Sequence, residues 1–189
     1  MTGDRFATHS VENQPPALPP YDAWATDAPL REAVAREGGD WAADELAAYG
    51  RLAGGEMVEL GRLANENPPK LRAFDRVGHR LDEVEFHPAY HRLMALGVEA
   101  GVTGFAWRHA DRPGAHVARA ALMFLHYQAE QGSGCPLTMT YACVPTLRHS
   151  PELAKEWVPR VIAPHYDPRD VPAHEKLGNT IGMAIRSPP

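Results

Sequence analysis

The chain has 189 residues, 44% of them hydrophobic and 23% charged, with a formal net charge of −5. A chain of that length removes roughly 70% of its extended surface from water on folding, enough for one core, and its ordinary composition excludes wholesale disorder and fibrous repeats. The acidic balance and the scatter of the arginines argue against this segment being a nucleic-acid-binding surface by itself, because phosphate neutralisation needs clustered cations.

No run of about 18 apolar residues occurs, and Met1 to Ser10 lacks the basic-then-apolar order of a signal peptide. A cytoplasmic polypeptide with no membrane partner is therefore expected. Cys135 and Cys143 lie eight apart in one predicted helix, more than two turns, so a disulfide between them would distort it and reduced thiols are expected.

Residues 1–26 contain the run Gln14-Pro-Pro-Ala-Leu-Pro-Pro20, too rich in proline for a helix or a central strand. They read as an extended arm. It is either a frayed tail or an arm docked on the body or a neighbouring subunit through Phe6, Leu18, Tyr21 and Trp24. Asp27 caps a helix that begins Ala28-Pro29 and ends at Gly38-Gly39. Asp40 is placed to cap a second helix, with Ala42, Leu46, Tyr49 and Ala53 on one face. After Gly54-Gly55, Met57, Leu60, Leu63 and Ala64 keep the helical period up to Asn67-Pro-Pro69.

Residues 70–86 have no 3.6 period, and Val84 and Phe86 alternate with Glu83 and Glu85, which suggests an extended crossing segment. Arg72, Arg76 and Arg80 form the nearest thing to a basic stripe, yet Asp75, Asp82, Glu83 and Glu85 lie among them, so a solvated, salt-bridged face is expected. From Pro88 a helix carries Tyr90, Leu93, Met94 and Gly97 on one side and stops at Gly101. A longer helix from Gly114 to Gln131 is expected to bury Val117, Ala121, Phe124, Leu125 and Gln128. Pro136 to Leu147 is uncharged, which predicts a central core helix buried on most sides and kinked near Pro145. Ser150 caps a helix from Pro151 to Ile162 with Leu153, Trp157 and Val161 inward, and Pro159 is expected to kink it or end it early. Residues 163–178 read as a connecting loop, and Asn179 to Ile185 as a single strand for which this sequence offers no partner.

Leu60-Gly-Arg-Leu-Ala-Asn-Glu-Asn-Pro-Pro69, Asp82-Glu-Val-Glu-Phe-His-Pro-Ala-Tyr-His91, Gly114-Ala-His-Val-Ala-Arg-Ala-Ala121, and Gly134-Cys-Pro through Met139-Thr-Tyr-Ala142 together resemble the AidB-type adaptive-response branch of the acyl-CoA dehydrogenase superfamily. The resemblance runs to about Ala184. It implies a mainly α fold: residues 1–26 an arm, 27–178 the N-terminal helical-bundle domain, and 179–189 a truncated start of the β-barrel domain. It further implies that the complete family protein is an FAD-containing homotetramer of the DNA alkylation response that binds an acyl-CoA-like ligand. Its catalytic glutamate, and the basic C-terminal region to which DNA contact is attributed, both lie beyond residue 189. Ile185 stands at the first flavin-contact position, where the family continues into a Met-Thr-Glu-type stretch. Arg186-Ser-Pro-Pro189 departs from that pattern, so this chain is expected to retain FAD weakly or not at all. No catalytic residue is assigned.

Other groups invite chemistry. His87 and His91 have the four-residue spacing that presents two imidazoles together to a metal, but Pro88 occupies the place of a metalloprotease glutamate, and helix-cap or surface roles are favoured. Thr138, Thr140, Tyr141 and Cys143 on the uncharged helix either bond to nearby carbonyls or, as the family resemblance implies, line the acyl or flavin cavity. Ser133 between two glycines lacks the preceding strand of a nucleophile elbow. Trp41, Trp107 and Trp157 read as core or interface anchors rather than base-stacking platforms.

Overall fold

The computed structural model describes residues 6, 8–10 and 12–184. Ile185, assigned above to flavin contact, lies outside the described residues, as do residues 186–189. In chain order the helices are α1 (Ala28–Arg36), α2 (Ala43–Ala53) and α3 (Glu56–Glu66). A hairpin of β1 (Lys70–Phe74) and β2 (Arg80–Glu85) follows, then α4 (Pro88–Ala100), α5 (Phe105–Arg108), α6 (Ala115–Ala129), α7 (Gly134–Leu147) and α8 (Pro151–Val161). The fold is mainly helical, as expected, with one two-stranded sheet.

Local chemistry sets most of these limits. Asp27 accepts from the Leu30 amide at the start of α1, and His87 accepts through Nδ1 from the Ala89 amide at the start of α4. Gly101 ends α4 at φ 98°, in the left-handed region, where its missing Cβ removes the steric cost. Asp40 does not cap α2. It opens a 3-10 turn, Asp40–Ala42, that leads into α2 without a side-chain cap. Ser150 holds the cap position of α8 through its carbonyl, which accepts from the Ala154 amide, rather than through its side chain.

The core centres on α6, which packs against α1, α2, α3, α5 and α7, while α4 packs against α3 and α7, and α8 against α7. Leu46, Tyr49, Met57, Leu93, Met94, Leu122, Leu125 and Leu137 are buried there. The inward stripe of α6 is Ala118, Ala121, Leu122, Leu125 and His126, a helical i, i+3, i+4 pattern. Phe124 and Gln128, expected inside, are exposed. An uncharged sequence does not make α7 the central helix: Cys135, Ala142, Pro145 and Thr146 are exposed along one side.

Both prolines sit inside helices that continue beyond them. Pro145 removes the amide that would bond to the Tyr141 carbonyl, and the Trp107 indole donates to that carbonyl at 3.0 Å instead. Pro159 does not end α8 early: the helix runs to Val161. Leu153 is exposed, whereas Val161 is buried in a second small cluster with Cys143 and Val144.

Residues 70–86 form an antiparallel hairpin rather than a single crossing segment, with Leu71 opposite Val84 and Arg72 opposite Glu83. The turn supplies the reason. The Asp75 carboxylate accepts from the Val77 and His79 amides, and Gly78 takes φ 92°, a side-chain-templated reversal. The basic stripe is salt-bridged as expected, Arg72 to Glu85 and Arg80 to Asp82. Residues 179–184 make no ladder, and among the described residues the strands β1 and β2 pair only with each other.

Of the arm, Ala23 and Trp24 are buried, while Phe6 and Leu18 stay exposed. Docking runs through the backbone: the Tyr21 amide donates to Gly54 at 2.9 Å and the Ala23 amide to Gly50 at 3.1 Å. A Cβ on Gly54 would lie 2.1 Å from the Tyr21 carbonyl oxygen. Gly54→Ala is expected to lift the arm and cost about 1–3 kcal/mol, measured as a lower urea midpoint together with a red shift of tryptophan emission.

Candidate functional site

The four polar groups of α7 diverge. The Thr138 hydroxyl reaches the Met123 sulfur at 3.8 Å. The Thr140 hydroxyl donates to the Pro136 carbonyl at 2.7 Å and accepts from the Ile181 amide at 3.0 Å, so it fastens the extended segment to α7. Tyr141 stacks on Trp107, its hydroxyl lies 2.5 Å from His116 Nδ1, and the Arg119 guanidinium covers its ring at 3.7 Å. The Cys143 thiol donates to the Thr140 carbonyl, and burial pushes its pKa up. Each group has its own partner, and apart from the Cys143 thiol on the Thr140 backbone carbonyl none of the four meets another.

The residues that do converge are ones that spacing did not single out as a set. Tyr49 Oη lies 2.6 Å from His126 Nδ1, His126 Nε2 lies 2.7 Å from Ser133 Oγ, and the Ser133 hydroxyl donates to Glu130 Oε2 at 2.5 Å. The Ser133 and Gly132 amides also donate to Glu130. Burial lowers the His126 pKa to about 4 and raises that of the Tyr49 phenol, so both are neutral at pH 7. The bonding then assigns a direction: Tyr49 donates to Nδ1, Nε2–H donates to Ser133, and Ser133 donates to Glu130. The composition suggests a catalytic triad, but the serine proton goes to glutamate and not to imidazole, and Ser133 and His126 are both 0% exposed. The chain of bonds ties α2 to α6 and to the turn before α7. It is structural.

His87 and His91 separate: the first caps α4 and the second meets the Tyr166 hydroxyl at 2.8 Å. Among the described residues, no group of three or more His, Cys, Asp or Glu side chains is placed to hold a metal. His91 and Tyr166 border a cleft of about 810 Å³ between β2, α4 and the loop Tyr166–Asp170. Burial lowers the pKa of the imidazole and raises that of Tyr166 to about 12. Asp167, at the loop, is held well below the usual carboxylate range, first by Arg169 and then by the Leu177 and Arg169 amides.

A family model for the adaptive response protein AidB N-terminal domain matches residues 13–168. The chain belongs to this AidB N-terminal family. It is 45% identical over 182 residues to the putative acyl-CoA dehydrogenase AidB of Escherichia coli K12, an alignment covering 95% of this chain and 34% of that protein. It is 28% identical over 106 residues to acyl-CoA dehydrogenase family member 11 of Caenorhabditis elegans, covering 56% of this chain and 17% of that one. The crystal structure of Caenorhabditis elegans ACDH-11 in complex with C11-CoA matches at TM-score 0.71 and 22% identity, over 87% of this chain and 30% of its own, a likeness of fold. The chain thus spans about a third or less of the length of the curated relatives it matches.

Flavin is the cofactor that membership of the acyl-CoA dehydrogenases implies for full-length proteins. The cleft beside His91 and Tyr166 does not suit its pyrophosphate. A pyrophosphate needs cations or free backbone amides, whereas that cleft sets five carboxylates against three cations, two of them already paired with Glu85 and Asp167.

Two measurements test these placements. Because the folded His126 pKa lies below the free value of 6.5, its contribution to stability is fully present above pH 6.5 and is lost as pH falls towards about 4. The loss is about 3 kcal/mol, seen in urea unfolding across that window, and His126→Gln removes that part of the slope. Thr140→Val leaves the Ile181 amide unpartnered, costs about 1–2 kcal/mol, and speeds hydrogen exchange at Ile181.

Proposed function

We propose that this chain is the N-terminal helical portion of an FAD-dependent, acyl-CoA-dehydrogenase-like protein of the DNA alkylation response, acting in the cytoplasm as a homo-oligomer. Its own part is to form a wall of the cavity that takes an acyl-CoA-like ligand. The observation that carries this reading is α7: no charged residue lies between Gly134 and Leu147, yet Cys135, Ala142, Pro145 and Thr146 are exposed. An uncharged open helix face is suited to contact an apolar ligand or a packed neighbour and not bulk water. Thr138, Thr140, Tyr141 and Cys143 shape that wall from behind.

The chain by itself is proposed to be inactive. It supplies no catalytic base at the α7 face, and the cleft chemistry described above does not suit a dinucleotide. DNA contact is assigned to a basic C-terminal region that these 189 residues do not include. Titrating the purified chain with FAD is expected to give no stoichiometric complex and no acyl-CoA oxidation. A protein that retains one flavin per chain through gel filtration would overturn the proposed inactivity.

A second reading is a non-catalytic helical interaction or oligomerisation module. It is supported by the exposed apolar side chains Phe124, Leu153 and Met183. Light scattering separates the two readings: a discrete oligomer without flavin favours the module, and polydisperse association favours a domain lacking its packing partner.

A further inference from the structure

The cleft beside β2 is bordered in an unusual way. Asp82, Glu83, Val84 and Glu85 all line it, whereas β1 contributes Arg72 alone. Asp82 departs from extended backbone at φ 54°, but beyond it successive strand side chains point to opposite faces, so Glu83, Val84 and Glu85 border one space when the strand presents its edge to it. That edge has no strand upon it: β2 pairs with β1 in a two-stranded sheet, and among the described residues no backbone bond from outside the hairpin reaches β2. The cleft, about 810 Å³, falls within the range of roughly 300–1,000 Å³ in which proteins hold ligands.

The lining specifies an occupant. The floor is apolar and aromatic, with Phe86 and Tyr90 stacked at 4.3 Å between centroids and Met94 beside them. At the rim, Arg72 is tied to Glu85, Asp82 to Arg80 and Arg169 to Asp167. Glu83 and Asp170 have no ion pair among the described residues, against Lys176 as the one cation of the lining in the same condition. The residual charge is negative.

We propose that the free edge of β2 takes an extended peptide segment of a partner protein as a third strand, with cationic side chains against Glu83 and Asp170 and an apolar one over Phe86 and Tyr90. Main-chain bonds to an exposed edge supply affinity, and alternate side chains supply selection. The loop Tyr166–Asp170 borders the cleft opposite β2. Two β2 edges brought together would also set Asp82, Glu83 and Glu85 against their own copies, a like-charge arrangement. A third strand also stabilises a hairpin that is marginal with two.

The test uses the full chain labelled with ¹⁵N and the probe peptide acetyl-Val-Lys-Val-Lys-Val-amide. Saturable amide shifts are expected at Asp82–Glu85 and Tyr166–Asp170. The peptide with both lysines replaced by glutamate is expected to bind at least about tenfold more weakly, and the one with a central proline not to bind. Exchanging the rim charges, Glu83→Lys with Asp170→Lys, is expected to reverse the preference between the lysine and glutamate peptides, a gain that an unfolded variant cannot show. No shifts, shifts confined to other surfaces, equal affinity for both peptides, or concentration-dependent self-association that broadens β2 before peptide is added would each overturn the proposal.

Discussion

A neutral imidazole in the middle of the helical core sets the geometry of this domain. His126 is 0% exposed, and a buried ring nitrogen without a partner is costly, so both nitrogens must be satisfied. Tyr49 from α2 meets one and Ser133 from the turn before α7 meets the other. These two bonds fix how α2 lies on α6 and where α7 begins. Once that start is fixed, Thr140 faces the segment it fastens at Ile181, and Tyr141 stacks on Trp107, whose indole takes the carbonyl that Pro145 leaves free. The central polar chain and the position of the outer helix are one arrangement.

The two sides of the molecule differ in character for the same reason. α7 itself carries no charged residue and its hydroxyls have partners within the domain, which leaves its exposed side suited to another apolar body. Around β2 the surface is charged, and most of its ions are matched in pairs across the hairpin, along β2 or within the loop near Tyr166. The chain belongs to the AidB N-terminal family, and the first side is the one proposed above to wall the ligand cavity. The second side has a different logic, that of an unpaired strand edge over an aromatic floor.

Much of the helical frame was legible in the sequence because its signals are local. Asp27 before Ala28-Pro29, Gly54-Gly55, and Gly101 after the Leu93–Gly97 stripe each mark a boundary through the conformation of one or two residues. The four family blocks were legible for the same reason: each is a contiguous string. The hairpin was not, since its turn rests on Asp75 accepting two amides and on Gly78 at positive φ, a weaker mark than Asn-Gly between apolar runs. The rotation of α6 was also misread. Phe124 is more apolar than His126, and hydrophobicity alone places it inside, yet the histidine is buried because partners from two other elements satisfy it.

The sequence by itself therefore determined the helical class, the family and most helix limits, since these depend on side chains acting within a few residues of themselves. Tertiary structure alone decided which face of α6 is the core, that α7 is open on one side, that Ser133 is a structural link, and that β2 borders a cleft. Each of those depends on groups brought together from distant parts of the chain, as Tyr49 and His126 are, and their energies exist only once the elements are packed.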